Sequence, residues 1–185
     1  MKRHLSSLMI AVLAALSAVS ARGEPTGASY AGEQQRAIKS LSDSEVAGLL
    51  AGRGAGFAKA AELNGYPGPA HVLELATQLH LSDAQTSATR ELMDQHLSEA
   101  MRLGAALLDA ERHLDSLFAQ RMATPGSVDQ AAARVGALHA QLRAEHLKTH
   151  LAQTALLNAH QIERYASLRG YGVAAEAPRH STHAH

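Results

Sequence analysis

The sequence predicts an all-α fold, a long antiparallel helical hairpin carrying short flanking helices in a hooked four-helix arrangement, and three observations predict it. The chain of 185 residues is 46% hydrophobic but only 3% aromatic, without Trp. Its apolar content is largely Ala and Leu, which favours helices over a sandwich of aromatic and β-branched strands. A local pattern occurs three times: Leu41-Ser42-Asp43-Ser44-Glu45, Leu81-Ser82-Asp83-Ala84-Gln85 and Leu157-Asn158-Ala159-His160-Gln161. In each, a Leu precedes a capping residue and a Glu or Gln follows three places on. This is the signature of a capping box, in which Ser or Asn accepts from a free first-turn N–H and the acidic or amide side chain returns to the cap. Two long stretches then show apolar residues at mixed spacings of three and four, the amphipathic-helix period.

Taken in order, residues 1–21 read as a secretory signal peptide. Lys2, Arg3 and His4 form a basic start, Leu8 to Leu16 are uninterrupted apolar residues, and Val19-Ser20-Ala21 offers a small-residue cleavage site. The apolar run is too short to cross a bilayer easily. Export to the periplasm is the expectation. Residues 22–40 are small, polar and Gly-containing, and are expected to form a flexible arm. A helical domain over 41–171 follows. A short helix from Asp43 stops in Gly52-Arg53-Gly54-Ala55-Gly56, a second piece runs from Phe57 to Asn64, and Tyr66-Pro67-Gly68-Pro69 forms a rigid turn. A further short helix covers Ala70 to Leu79.

The first long helix is expected from Ser82 to Met122, with Leu92, Leu97, Ala100, Leu107, Leu108 and Leu114 among its apolar positions. Ala123-Thr124-Pro125-Gly126-Ser127 breaks it. The second runs from Val128 to Leu156, with Val135, Leu138 and Leu142 on one stripe, and a last helix runs from Ala159 to Leu168. Residues 172–185 read as a disordered, His-containing tail. Helices of roughly 30 to 40 residues on either side of a short break make a hairpin about 45–60 Å long. Each buries one stripe against the other, so the short helices or a second copy must cover what remains, and a homodimer is expected.

Several functions are excluded by what the chain lacks. It has no Cys, which removes disulfides, thiolate metal sites and Cys nucleophiles. Its 17 basic and 17 acidic residues give no basic surplus for nucleic acid. No Gly-x-Ser-x-Gly elbow, phosphate-binding glycine loop or His-Glu-x-x-His helix occurs, so neither catalysis nor a nucleotide is expected.

Histidine is the surplus residue, at 12. His146 and His150 stand four apart, one turn apart on one helix face, a spacing that lets two imidazoles chelate one divalent ion given further ligands. If the chain turns near Thr124, His96 lies opposite residue 152, within reach of His150, and Met101 lies opposite residue 147. The expected site is therefore His96, His146 and His150 across the hairpin, with Glu99 or Met101 as a further ligand and His71 and His139 as weaker candidates. Zinc, nickel and copper all suit imidazole. The alternative is that these histidines line a solvated face.

With the motifs in place, the chain resembles the Spy/CpxP family of periplasmic proteins, which includes zinc-resistance-associated and heavy-metal-sensor branches. That family is marked by two copies of Leu-Thr-x-x-Gln. Here Leu81-Ser82-Asp83-Ala84-Gln85 and Leu157-Asn158-Ala159-His160-Gln161 stand in those places, with Ser82 and Asn158 as the caps and Gln85 and Gln161 as the glutamines. The phrases His71-Val72-Leu73-Glu74-Leu75-Ala76 and Tyr165-Ala166-Ser167-Leu168-Arg169-Gly170-Tyr171 are also similar to that group, so the resemblance covers residues 66–171. It implies a hooked, dimeric hairpin acting either as a metal-responsive stress protein that signals to a membrane partner, or as an ATP-independent holdase for unfolded envelope proteins. The holdase branch implies a basic concave face. Here residues 82–122 carry more acid than base, and loss of Lys2 and Arg3 with residues 1–21 leaves 15 basic against 17 acidic residues. The histidines favour the metal-responsive branch.

Overall fold

A computed structural model describes residues 29–171; the expected signal peptide and the tail with His180, His183 and His185 lie outside the described residues. The chain divides at Gly32 into two units, of which the first is described only at residues 29–32, as turn. From Glu33 onward a single 3-10 turn (Glu33–Gln35) precedes six helices: α1 (Asp43–Leu50), α2 (Lys59–Glu62), α3 (Pro69–Glu74), α4 (Asp83–Ala119), α5 (Pro125–Ala155) and α6 (Ala159–Leu168). The protein is all-α, with no strand among the described residues. None of its described helices is long and apolar enough to cross a membrane.

The capping arithmetic sets the helix starts. Ser42, Ser82 and Asn158 each accept from the backbone three residues on, while Glu45, Gln85 and Gln161 return to the cap N–H. Ser42 donates to the Glu45 carboxyl from both its hydroxyl and its N–H, which holds that carboxyl below its ordinary range. A fourth box, Thr124 with Ser127, opens α5 with Pro125 at its first position. Pro125 and Gly126, expected as breakers, thus lie inside the helix, because proline's fixed φ suits a first turn whose N–H has no partner anyway. The piece expected over Phe57–Asn64 contracts to Lys59–Glu62, bounded by Gly56 and Gly65 at φ 81° and 84°. Such backbone is left-handed and ends α-helix on both sides.

The two glutamine-bearing pentapeptides meet in space. Gln85 Nε2 donates to Gln161 Oε1 at 2.9 Å, and Gln161 Nε2 returns to Gln85 Oε1 at 3.0 Å. Further bonds from the same amides reach the Leu156 and Leu79 carbonyls. Each glutamine therefore caps its own helix and ties the start of α4 to the start of α6.

Side-by-side packing of α4 and α5 organises the rest. Residues early in α4 stand against residues late in α5, with Gln153 donating to Thr89 at 3.2 Å and Thr149 bonding His96 at 3.0 Å. One apolar cluster gathers Leu49 of α1, Leu103, Leu107 and Leu108 of α4, and Leu138 and Leu142 of α5. A second joins Val72, Leu79, Leu157 and Tyr165. Ile38, in the segment expected as a flexible arm, is 2% exposed within the first cluster. Lys39 pairs with Asp115 at 3.1 Å and Ser40 bonds Glu111, so the end of that segment lies on α4. Among the described residues of that stretch, Ile38 alone is buried, and burying its side chain favours docking of the segment's end.

Candidate functional site

Between the two apolar clusters the α4–α5 interface turns polar. Thr89, His96, His146, Thr149 and Gln153 are all buried there. Buried polar groups are costly without partners, so such a stretch is built for a purpose or satisfied internally. It borders a cavity of about 440 Å³, lined by His96 and Met93 from α4, His146, Thr149 and His150 from α5, and His71 from α3. Segment 51–54 forms another wall. Four of the chain's histidines thus face one space.

Three of these rings are held in the same way. His96 Nδ1 lies 3.2 Å from Glu145 Oε1 and 3.0 Å from Thr149 Oγ1. His71 Nδ1 lies 2.9 Å from Glu74 Oε2, and His150 Nδ1 lies 2.7 Å from the Tyr66 carbonyl oxygen. Carboxylates and carbonyls only accept, so each Nδ1 carries the proton and donates it. In the neutral ring the lone pair is then on Nε2. A metal-binding histidine is characteristically oriented by this kind of bond from its other nitrogen. The bond from His71 also holds the Glu74 carboxyl below its ordinary range.

His146 is the exception, and an informative one. It is 4% exposed, and its Nε2 is buried with no hydrogen-bond partner. Its ring meets His96 edge-on at 4.6 Å between centroids and stacks on Phe57 at 5.6 Å. Gly54 covers its other side closely, since a Cβ there would stand 3.4 Å from Nδ1. Burial, reinforced by the neighbouring His96, pushes the ring's pKa down to about 4. At neutral pH the ring is therefore uncharged and its nitrogen lone pair is not blocked by a proton.

The remaining sequence candidates fall elsewhere. Glu99 makes a two-point pair with Arg102, both at the surface, and does not border the cavity. Met101 is 47% exposed. His139 lines a separate cavity of about 420 Å³ with Leu41, Leu49 and Phe57, and meets the Phe57 ring edge-on. The capping residues Ser82, Gln85, Asn158 and Gln161 are where the boxes require them. Met93 and Glu145 were not anticipated. The signal for Glu145 was its place beside His146, on the face turned toward α4.

Among the described residues no three His or carboxylate side chains already converge as a coordination cage. The rings border one cavity without meeting at a point, so ion capture requires side-chain rotation within it. Comparison of the chain with family models, curated proteins and solved structures finds no match.

Proposed function

We propose that this is an exported, non-catalytic, metal-responsive protein of the bacterial envelope that binds a divalent transition metal (zinc, nickel or copper) through His96, His146 and His150, with His71 at the edge of the site. The observation that carries the reading is the buried, unpartnered Nε2 of His146, facing a cavity with three more imidazoles oriented through Nδ1. An isolated solvated histidine needs no such orientation. An ion between these rings links α3, α4 and α5, and so favours whichever arrangement brings them closest. At a hundredfold excess over Kd it adds about 2.7 kcal/mol to that arrangement.

The hooked hairpin and homodimer belong to the same proposal. The cross-bonds between early α4 and late α5, and the pairing of Gln85 with Gln161, support the first. Residues 1–21 and the two glutamine pentapeptides support a periplasmic location and kinship with the Spy/CpxP group, whose signalling branch acts on a membrane partner. A holdase role for unfolded envelope proteins has its own support: Phe118 and Met122, near the α4–α5 turn, are 59% and 56% exposed, as are Met101 and Leu151 in part.

The test is calorimetric titration of the metal-free protein with zinc, nickel and copper, with sedimentation to follow association. The reading expects sub-micromolar binding at a fixed ratio that is lost in the His146→Ala/His150→Ala variant. Binding that survives this double substitution, or no binding at all, overturns it. In the second case aggregation suppression becomes the assay of choice.

A further inference from the structure

Residues 51–58, which join α1 to α2, pass over His146. Phe57 stacks on that ring, Gly54 lies along the edge bearing Nδ1, and His96 meets it edge-on from α4. The first two contacts belong to the connecting segment, the third to the candidate site itself. The ring's Nε2 is buried, so a hydrated ion gains it only when some of this cover moves. Helices α4 and α5 are packed on each other through Leu103, Leu107, Leu138 and Leu142. The segment is therefore the cheaper part to displace.

Its attachment is slight. Its backbone hydrogen bonds run to α1 (Gly52 N–H to the Leu49 carbonyl, Arg53 N–H to that of Gly48), to α2, or within the segment, as from Phe57 to Gly54. Among the described residues no hydrogen bond ties it to α4 or α5. Phe57 is its anchor on α5. Half-buried, that ring packs against the first apolar cluster and touches both His139 and His146. Space lies on either side: Gly54 and Ala58 wall the histidine cavity and also a neighbouring one of about 380 Å³. Ala55 and Phe57 border the cavity that holds His139.

The backbone supplies the pivots. Gly52, at φ 63°, is seated on α4, where a Cβ would stand 3.3 Å from the Leu97 carbonyl oxygen; Gly56, at φ 81°, faces open space. Between them Ala55 holds a left-handed φ of 37°, a costly conformation for a residue with a Cβ, and opening releases that strain. Few anchors, adjoining space and strained backbone are the features of a segment that opens locally at low cost.

Building on the metal-responsive reading, we propose that residues 52–58 form a strap that gates the metal site. It lifts from Gly52, with Gly56 turning so that Phe57 leaves the His146 ring, and Phe57 closes it again. The strap sets how fast an ion enters and leaves, while the imidazoles set how tightly it is held.

The experiment is modification by diethyl pyrocarbonate, which acylates uncharged imidazole, on the full metal-free chain at neutral pH, followed ring by ring by peptide mass mapping. Wild type is compared with Phe57→Ala and Gly56→Ala. Phe57→Ala removes the anchor and should speed modification of His146 by roughly tenfold or more. Gly56→Ala adds a Cβ in open space but penalises the closed backbone. It should speed His146 by roughly 5–30-fold, while the exposed His160 reacts as in wild type. Zinc association followed by stopped flow should quicken in parallel. An unchanged His146 rate in both variants overturns the strap. A faster His146 rate with zinc association at the wild-type rate overturns the gating. Faster modification without zinc binding by any of the three proteins overturns the metal-responsive reading and leaves the movable strap. If Phe57→Ala loses its helical circular dichroism, Gly56→Ala decides, because its change lies outside the core.

Discussion

Gly104→Ala and Gly136→Ala make the same chemical change in the two long helices and should have opposite effects. Gly104 lies on α4 where the end of α1 crosses it. A Cβ there would overlap the Leu49 carbonyl oxygen and stand 2.9 Å from its carbon. Backbone cannot rotate away as a side chain can, so α1 must move bodily. Overpacking of this kind costs about 3 kcal/mol at the upper end of its range, and the helix-propensity gain of Ala over Gly returns about 1 kcal/mol. The net expectation is about 2 kcal/mol of destabilisation, or roughly 4–8 °C in Tm for a domain of this size. At Gly136, exposed on α5, nothing lies within 4 Å of an added Cβ. Only the propensity gain remains, so that variant should be about 1 kcal/mol more stable. Urea unfolding followed at 222 nm measures both. The displaced α1 leads directly into segment 51–54, a wall of the histidine cavity, so Gly104→Ala should also weaken zinc binding. Equal stabilisation by the two substitutions would refute the close approach of α1 to α4.

Stability of the metal-free protein should depend on pH through His146. The unfolded ring takes a proton near pH 6.5 and the folded ring only near about 4, so between these values the unfolded state binds more protons. Stability is therefore fully present above pH 6.5, falls as pH drops through that window by up to about 3 kcal/mol, and levels off below it. His146→Leu should flatten the profile, and an unchanged profile would show that the ring is not buried neutral. Gln161→Ala removes the return bond to Asn158 and the amide pair with Gln85, and should cost about 2 kcal/mol by denaturant titration. Gln85→Ala with Gln161→Ala should cost less than the two single changes added together, because they share that pair; strict additivity would count against it.

Much of the fold is local and was legible for that reason. Ser42, Ser82 and Asn158 announce their helices because a capping box is complete within four residues. Thr124 was obscured because Pro125 and Gly126 are breakers inside a helix but harmless in its first turn. The burial of Ile38 depends on the distant Leu103, Leu107 and Leu138, and no local pattern encodes it. The gathering of His96, His146 and His150 at one cavity was legible in the sequence, and its register less so. A turn centred on Thr124 places His96 opposite residue 152. The helices end at Ala119 and resume at Pro125, which moves the centre back toward Met122 and sets His96 against Glu145 and Thr149. Met101 lies on the outer face of α4, next to the fully buried Ala100. Glu62 and Tyr66 reach His150 only through the folding of α2 and the following turn, a contact that spacing along the chain cannot reveal.

The most direct test of the metal site is a zinc titration read on the nitrogen resonances of the histidine rings. Nε2 of His96, His146 and His150 should shift together and saturate at about one ion per chain, while His96 and His150 keep their Nδ1 protons on Glu145 and Tyr66. Shifts confined to rings outside the cavity, such as His113 or His160, or ligation through Nδ1, would contradict it.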